Sequence, residues 1–212
     1  PVIIASNHLS FSDSIFMPLV VPRKVTFLAK SEYFTSPGPK GLLKKLTFIA
    51  LGQVPVDRSG GRRSEAALIT GLKVLAEGGC LGIYPEGTLT RDENLWPMVA
   101  KTGLARLAIT TRTPIIPIAQ WGSQIVMPTY EKKLKLFPRT PIKILAGKPV
   151  DLSAWYGKEN DPEALIEATA FVMRAITDLL EELRGEKRPV EIFDPHNSDL
   201  PRTGNFKKKR SR

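Results

Sequence analysis

The chain has 212 residues, 42% of them hydrophobic and 25% charged, which argues against a disordered or fibrous chain and allows one domain with a substantial core. No run reaches the ~18 apolar residues of a spanning helix, and no signal-peptide pattern opens the chain. The net charge is +10, and six basic residues and no acid fall between Arg202 and Arg212; such a tail suits an anionic membrane surface or a nucleic acid, or is a solvated end.

Residues 2–6 read as a short buried strand, and the lack of an initiator Met leads us to expect a preceding segment, able to hold a membrane anchor. A Ser10 or Ser12 cap is expected to open a helix through Pro18, with Asp13 in its first turn. Residues 24–29 read as a second strand, Pro37-Gly38-Pro39 breaks the chain, and residues 40–49 as a short amphipathic helix or turn. Residues 53–56 are extended. Arg62 to Glu77 has helical spacing and ends at Gly78-Gly79. Residues 80–85 form a buried strand, and Met98 to Thr110 a helix. Residues 114–120 read as a strand, in which Pro117 calls for an edge, bulge or irregular segment. Leu134–Phe137 and Ile142–Ala146 are candidate further strands, and Pro162 to Arg184 is a long helix. The alternation predicts an α/β fold: one domain over residues 1–190, a mixed, largely parallel sheet flanked by helices, then a polar, basic tail over 191–212.

Three polar clusters follow expected strands: His8 with Asp13, Asp57-Arg58, and Glu86-Gly87-Thr88. Loops at the carboxyl ends of strands are where α/β folds carry chemistry. A neutral imidazole is available near pH 7, and a carboxylate a few residues on can fix its tautomer and offset the charge it acquires as a general base. Arg58 offers a fork for a phosphate, and Gly87 allows close backbone approach and amides for an oxyanion. Taken singly, each cluster is more often a hydrogen-bonded strand end, a surface ion pair or a capped turn; their concurrence favours a site. No Gly-x-Ser-x-Gly elbow or phosphate-binding Gly-x-x-x-x-Gly-Lys-Ser/Thr loop is present. Two histidines and one cysteine make a poor zinc ligand set, so no metal is expected; Cys80 reads as a core residue.

The motifs carry a resemblance. Asn7-His8 with Asp13 resembles the NHxxxxD motif of the glycerolipid acyltransferase superfamily, and Tyr84-Pro85-Glu86-Gly87-Thr88 its Phe-Pro-Glu-Gly-Thr motif. Gly52 to Arg58 resembles its arginine block, residues 113–119 its proline-bearing block, and Ala29-Lys30-Ser31-Glu32 its Lys-x-Glu segment. The blocks lie in family order across residues 3–122, most like bacterial 1-acyl-glycerol-3-phosphate acyltransferases. The resemblance implies acyl transfer from acyl-CoA or acyl carrier protein to the hydroxyl of a lysophospholipid, without a cofactor, at the cytoplasmic face of the cell membrane, with peripheral binding or an anchor ahead of residue 1. It makes His8 and Asp13 catalytic, and Lys30, Arg58, Glu86, Gly87, Thr88 and Arg91 substrate-binding. One departure bears on the acceptor: the position after Glu-Gly-Thr, commonly Arg in the family, is Leu89, with Arg91 two residues on. Another lysophospholipid or a glycolipid acceptor therefore stays open. Phe11, Ile15, Phe16, Tyr33, Phe34 and Phe48 are candidates for an acyl groove, with core packing the alternative for at least half of them. A nonenzymatic protein binding nucleic acid or membrane surfaces would explain the charge but leave the motifs as coincidence; no nucleic-acid module is recognisable, and no nucleic-acid partner is expected.

Overall fold

β1 (Val2–Ser6) lies in the interior of a six-stranded sheet, and its neighbours decide where the site forms. The computed structural model describes residues 1–31, 34–56, 63–131 and 133–198, apart from the side chains of Lys30, Lys44, Arg63 and Ser64. The other strands are β2 (Val25–Lys30), β3 (Gln53–Val56), β4 (Cys80–Ile83), β5 (Ile115–Trp121) and β6 (Lys143–Ala146), in the spatial order β3-β2-β4-β1-β5-β6. All pairings are parallel except that of β5 with β6. The helices are α1 (Asp13–Val20), α2 (Gly38–Ala50), α3 (Arg63–Ala76), α4 (Gly103–Thr111), α5 (Ser123–Val126) and α6 (Pro162–Arg184). Because β1 and β4 are adjacent and parallel, with Ala5 beside Ile83, the loops carrying His8 and Glu86 leave the same edge.

Alternation along β1 feeds both faces of the sheet. Ile3 and Ala5 pack with Leu81 and with residues of α3, α4 and α6, among them Leu75, Leu107 and Val172. Ile4 turns the other way, onto Met17 of α1 with Phe27, Cys80 and Ile118. Gly82, paired with Phe27, allows that ring to cross β4; a Cβ there would stand 2.5 Å from the ring. α6 starts on an Asp161 cap that accepts from Glu163 and Ala164 N–H and stops at left-handed Gly185.

The alternating architecture and the long helix are as the sequence predicts, and four local expectations change. Neither Ser10 nor Ser12 caps α1: Ser12 already has helical angles, φ −80° and ψ −8°, so its side chain does not reach the first free N–H groups. The helix expected from Met98 starts at Gly103, because the preceding backbone bonds outward, from Met98 N–H to Glu86, Val99 N–H to Phe193 O and Lys101 N–H to Pro85 O. Leu134–Phe137 forms no strand; Leu134, Leu136 and Phe137 are exposed and find no sheet face to cover. Pro117 is in an interior strand, not at an edge. Its carbonyl accepts from Gly147 N–H just past the end of β6, so its missing donor falls where the ladder has stopped.

Candidate active site

The turn after β1 is clamped before it delivers His8. Asn7 Oδ1 accepts from Gln120 N–H at 2.9 Å, and its Nδ2 donates to Gln120 O at 3.0 Å, so one amide reproduces a strand pairing to β5. The Gln120 amide donates back to Asn7 O at 3.1 Å. His8 follows with Nδ1 2.9 Å from Asp13 Oδ2. That same oxygen accepts from Leu9 N–H at 2.7 Å and Ser10 N–H at 2.9 Å, and the Asp13 side chain is wholly buried. The carboxylate therefore shapes the loop and orients the ring together. An Nδ1–H donated to Asp13 leaves the lone pair on Nε2, and His8 keeps 15% of its side chain exposed.

The flat side of the imidazole is fixed by aromatic rings. His8 stacks on Tyr84 with centroids 4.0 Å apart and planes 12° apart, and Tyr84 stacks on Phe27 at 5.4 Å. Burial, and then the charge of Asp13, hold the Tyr84 phenol well above its ordinary pKa, so the platform is uncharged. A π face beneath the imidazole favours positive charge developing on it.

The second loop is held from below by Glu86, which is buried. Its Oε1 accepts from His8 N–H at 3.2 Å and its Oε2 from Met98 N–H at 3.1 Å. Burial pushes this carboxyl up to about 8, against the opposing pull of hydrogen bonds from the Met98 and His8 amides and the Thr90 hydroxyl. Thr90 N–H returns to His8 O at 2.8 Å. Gly87 stands at φ +73°, a conformation that favours glycine, and its N–H donates to Tyr84 O at 2.9 Å.

His8, Asp13 and Glu86 are thus brought together, with Gly87 exposed and Thr88 half-buried on the rim. The Gly87 amide, expected to be open to an oxyanion, is instead engaged within its own turn. Arg91 is 1% exposed, its guanidinium 5.8 Å from the centroid of the Tyr130 ring, and Tyr130 O–H donates to Leu89 O at 2.8 Å. This arginine lies beneath the loop, where its burial does not suit the expected contact with a substrate phosphate. Lys30 ends β2; the contacts expected of its side chain, of Asp57-Arg58 and of Tyr33 lie outside the described residues. Phe11 and Ile15 are exposed, and Phe34 meets Phe48 edge-on at 5.7 Å. Among the described residues no group of three His, Cys, Asp or Glu side chains could hold a metal ion.

Sequence reasoning missed Tyr84 as a support, the Asn7–Gln120 clamp, and the segment after α5, where Thr129 Oγ1 donates to Leu9 O and Met127 O accepts from Ser10 Oγ. Gln120 alone left a signal, as a polar residue at the end of an apolar strand.

The architecture agrees with comparison to known proteins. The sequence model of the family described as Acyltransferase matches residues 1–121, more than half of the chain, and the chain belongs to that acyltransferase family. It is 29% identical over 182 residues to a 1-acyl-sn-glycerol-3-phosphate acyltransferase of Bacillus subtilis, covering 85% of this chain and 82% of the relative. It is 27% identical over 161 residues to the chloroplastic 1-acyl-sn-glycerol-3-phosphate acyltransferase BAT2 of Brassica napus, covering 76% of this chain but only 42% of that protein. The crystal structure of the 1-acyl-sn-glycerophosphate acyltransferase PlsC from Thermotoga maritima shares the fold, with TM-score 0.60 and 22% identity over 89% of this chain and 68% of that one.

Proposed function

We propose that the protein transfers a fatty acyl group from acyl-CoA or acyl carrier protein to the free hydroxyl of 1-acyl-glycerol-3-phosphate, forming phosphatidic acid. The observation that carries the reading is the 2.9 Å contact between His8 Nδ1 and a buried Asp13 at a partly open strand end. His8 Nε2 takes the hydroxyl proton as the acceptor oxygen attacks the thioester carbonyl. The tetrahedral intermediate collapses, the carbon–sulfur bond breaks, and the imidazolium returns its proton to the leaving thiolate. Asp13 orients the ring and offsets its charge. The thioester is already activated, so no acyl-enzyme is required. Lys30 and Arg58 are the proposed holders of the acceptor phosphate, and Thr88 of its glycerol end. Glu86 keeps the two loops in register. The names of the relatives support the substrate class, and the exposed Phe11 and Ile15 near His8 support an apolar path for an acyl chain.

The reaction is proposed to take place at the cytoplasmic face of the membrane, with part of this chain touching the lipid surface. Among the described residues no helix is long and apolar enough to cross a bilayer. What supports a surface mode is α2, on which Leu42, Leu43, Leu46 and Ile49 are exposed while Gly41 is buried. At 3.6 residues per turn the four occupy one face roughly 120° wide, bordered by Lys40 and Lys45, and α2 contains no acidic residue.

The test is turnover. Purified protein with an acyl-CoA and 1-acyl-glycerol-3-phosphate is expected to release thiol and form phosphatidic acid, and His8→Ala to lower the rate by about 10²–10⁴-fold. Near-normal turnover in that variant would remove the general-base assignment. A panel of other lysophospholipid and glycolipid acceptors fixes the head group.

A further inference from the structure

We propose that Lys101 is the phosphate-binding cation on the Glu86-Gly87-Thr88 side of the active site, a reading that rests on the proposed acyl transfer to a phosphorylated lipid. Sequence pattern gives this residue no role, since it falls ten positions beyond Arg91, inside a segment expected to be helical. The fold brings it back. Lys101 N–H donates to Pro85 O at 3.0 Å, which pins its backbone to the turn holding Gly87. Its side chain then runs over that turn: a Cβ on Gly87 would stand 3.0 Å from Lys101 Nζ and 3.0 Å from its Cε. The ammonium therefore rests on the one exposed residue of the Glu86-Gly87-Thr88 loop, next to the residue whose carboxyl accepts from His8 N–H.

Two further observations favour this cation for the open side of that loop. The position where a cation would directly follow the loop is Leu89, which is buried, and Arg91 is buried against Tyr130. Lys101 is exposed, and among the described residues no ion pair engages it. Its nearest carboxyl in the loop, Glu86, is buried and turned to backbone amides, so it does not occupy the ammonium. An exposed point charge over a glycine suits a phosphate monoester, which gains from a cation without a demand for fork geometry. The acceptor carries such a group, and an acyl-CoA donor also carries phosphates; the shared chemistry is a phosphate placed beside Gly87.

The experiment uses the whole chain with Lys101→Met and Lys101→Arg, each checked for an unchanged melting temperature. Steady-state kinetics are measured with 1-acyl-glycerol-3-phosphate, with 1-acyl-glycerol, which lacks the phosphate, and with varied acyl-CoA. Loss of one charge-assisted hydrogen bond is expected to raise KM for the phosphorylated acceptor by about tenfold to a hundredfold in Lys101→Met. kcat and the KM for 1-acyl-glycerol should stay within a few-fold, and Lys101→Arg should recover most of the loss. A rise confined to the KM for acyl-CoA would assign the phosphate to the donor. No change in either KM would overturn the proposal. A parallel titration with inorganic phosphate follows the Gly87 amide resonance and needs no turnover. A shift in the unmodified protein that disappears in Lys101→Met supports the site even if 1-acyl-glycerol-3-phosphate proves not to be the acceptor, whereas equal shifts, or none in either protein, overturn it.

Discussion

The imidazole of His8 lies flat on the phenol ring of Tyr84, with centroids 4.0 Å apart and planes 12° apart, and the phenol rests in turn on Phe27. Phe27 can reach that position because its strand neighbour is Gly82. The orientation of the proposed base thus depends on a glycine in the neighbouring strand β4. Asp13 fixes the ring in its plane and the stack fixes it out of plane, so neither constraint alone specifies where Nε2 points.

Tyr84→Leu should therefore lower kcat by about tenfold to a hundredfold, because displacing a reacting group by about 1 Å costs on that order. Tyr84→Phe keeps the stacking surface and should stay within a few-fold of the unmodified rate. Turnover of the two variants side by side is the check; equal losses would mean that the hydroxyl, not the ring face, matters.

Glu86 predicts a pH dependence of stability. Its carboxyl is held up to about 8 in the folded protein, above its ordinary value of 4.5. Between those values the unfolded chain gives up this proton and the folded protein keeps it. The contribution is thus fully present below about 4.5 and is lost as pH rises through about 8. Glu86→Gln cannot ionise and should not share that decline. Urea midpoints at pH 5, 7 and 9 should show the variant gaining on the unmodified protein as pH rises, and parallel curves would contradict the shift.

The sheet was readable because its strands are short apolar runs between turn residues, and its helices have clear spacing with glycine stops, as at Gly78 and Gly185. His8, Asp13 and Glu86 were readable because each follows such a strand. Their mutual contacts depend on which strands are neighbours: β1 and β4 are adjacent although β2 and β3 intervene in the chain. Nothing local in the sequence encodes that order. The same crossing hides the ring stack and the return of Lys101 to Pro85, while of the placements Pro117 allowed only the edge fails, because a missing donor matters only where a partner strand continues.

Asn7 should prove structural as well as adjacent to chemistry. Its amide pairs with both Gln120 N–H and Gln120 O, and Asn7 is buried. Asn7→Ala leaves two buried backbone groups without those partners, at about 1–3 kcal/mol for each group left unsatisfied. A lower urea midpoint accompanied by lower turnover is expected, since His8 is the next residue. Unchanged stability would show that water or a relaxed backbone replaces the clamp.

α2 predicts how the protein meets lipid. Leu43 and Leu46 are 68% and 54% exposed on a face bordered by Lys40 and Lys45. Inserting that face into the headgroup boundary buries apolar area, and the lysines add roughly 1 kcal/mol each near an anionic surface. Replacing both leucines by serine should weaken binding to anionic and neutral vesicles alike by tenfold or more, since burying a leucine fully contributes about 1.5–3 kcal/mol. The melting temperature should hardly move, because neither side chain is in the core. Deleting residues 202–212, with their six basic side chains, should instead weaken binding only to anionic vesicles, and less at high salt. Cosedimentation at two salt concentrations separates the two effects. Unchanged binding of the serine variant to both vesicle types would remove α2 from the membrane-facing surface and leave the tail to carry the attraction alone.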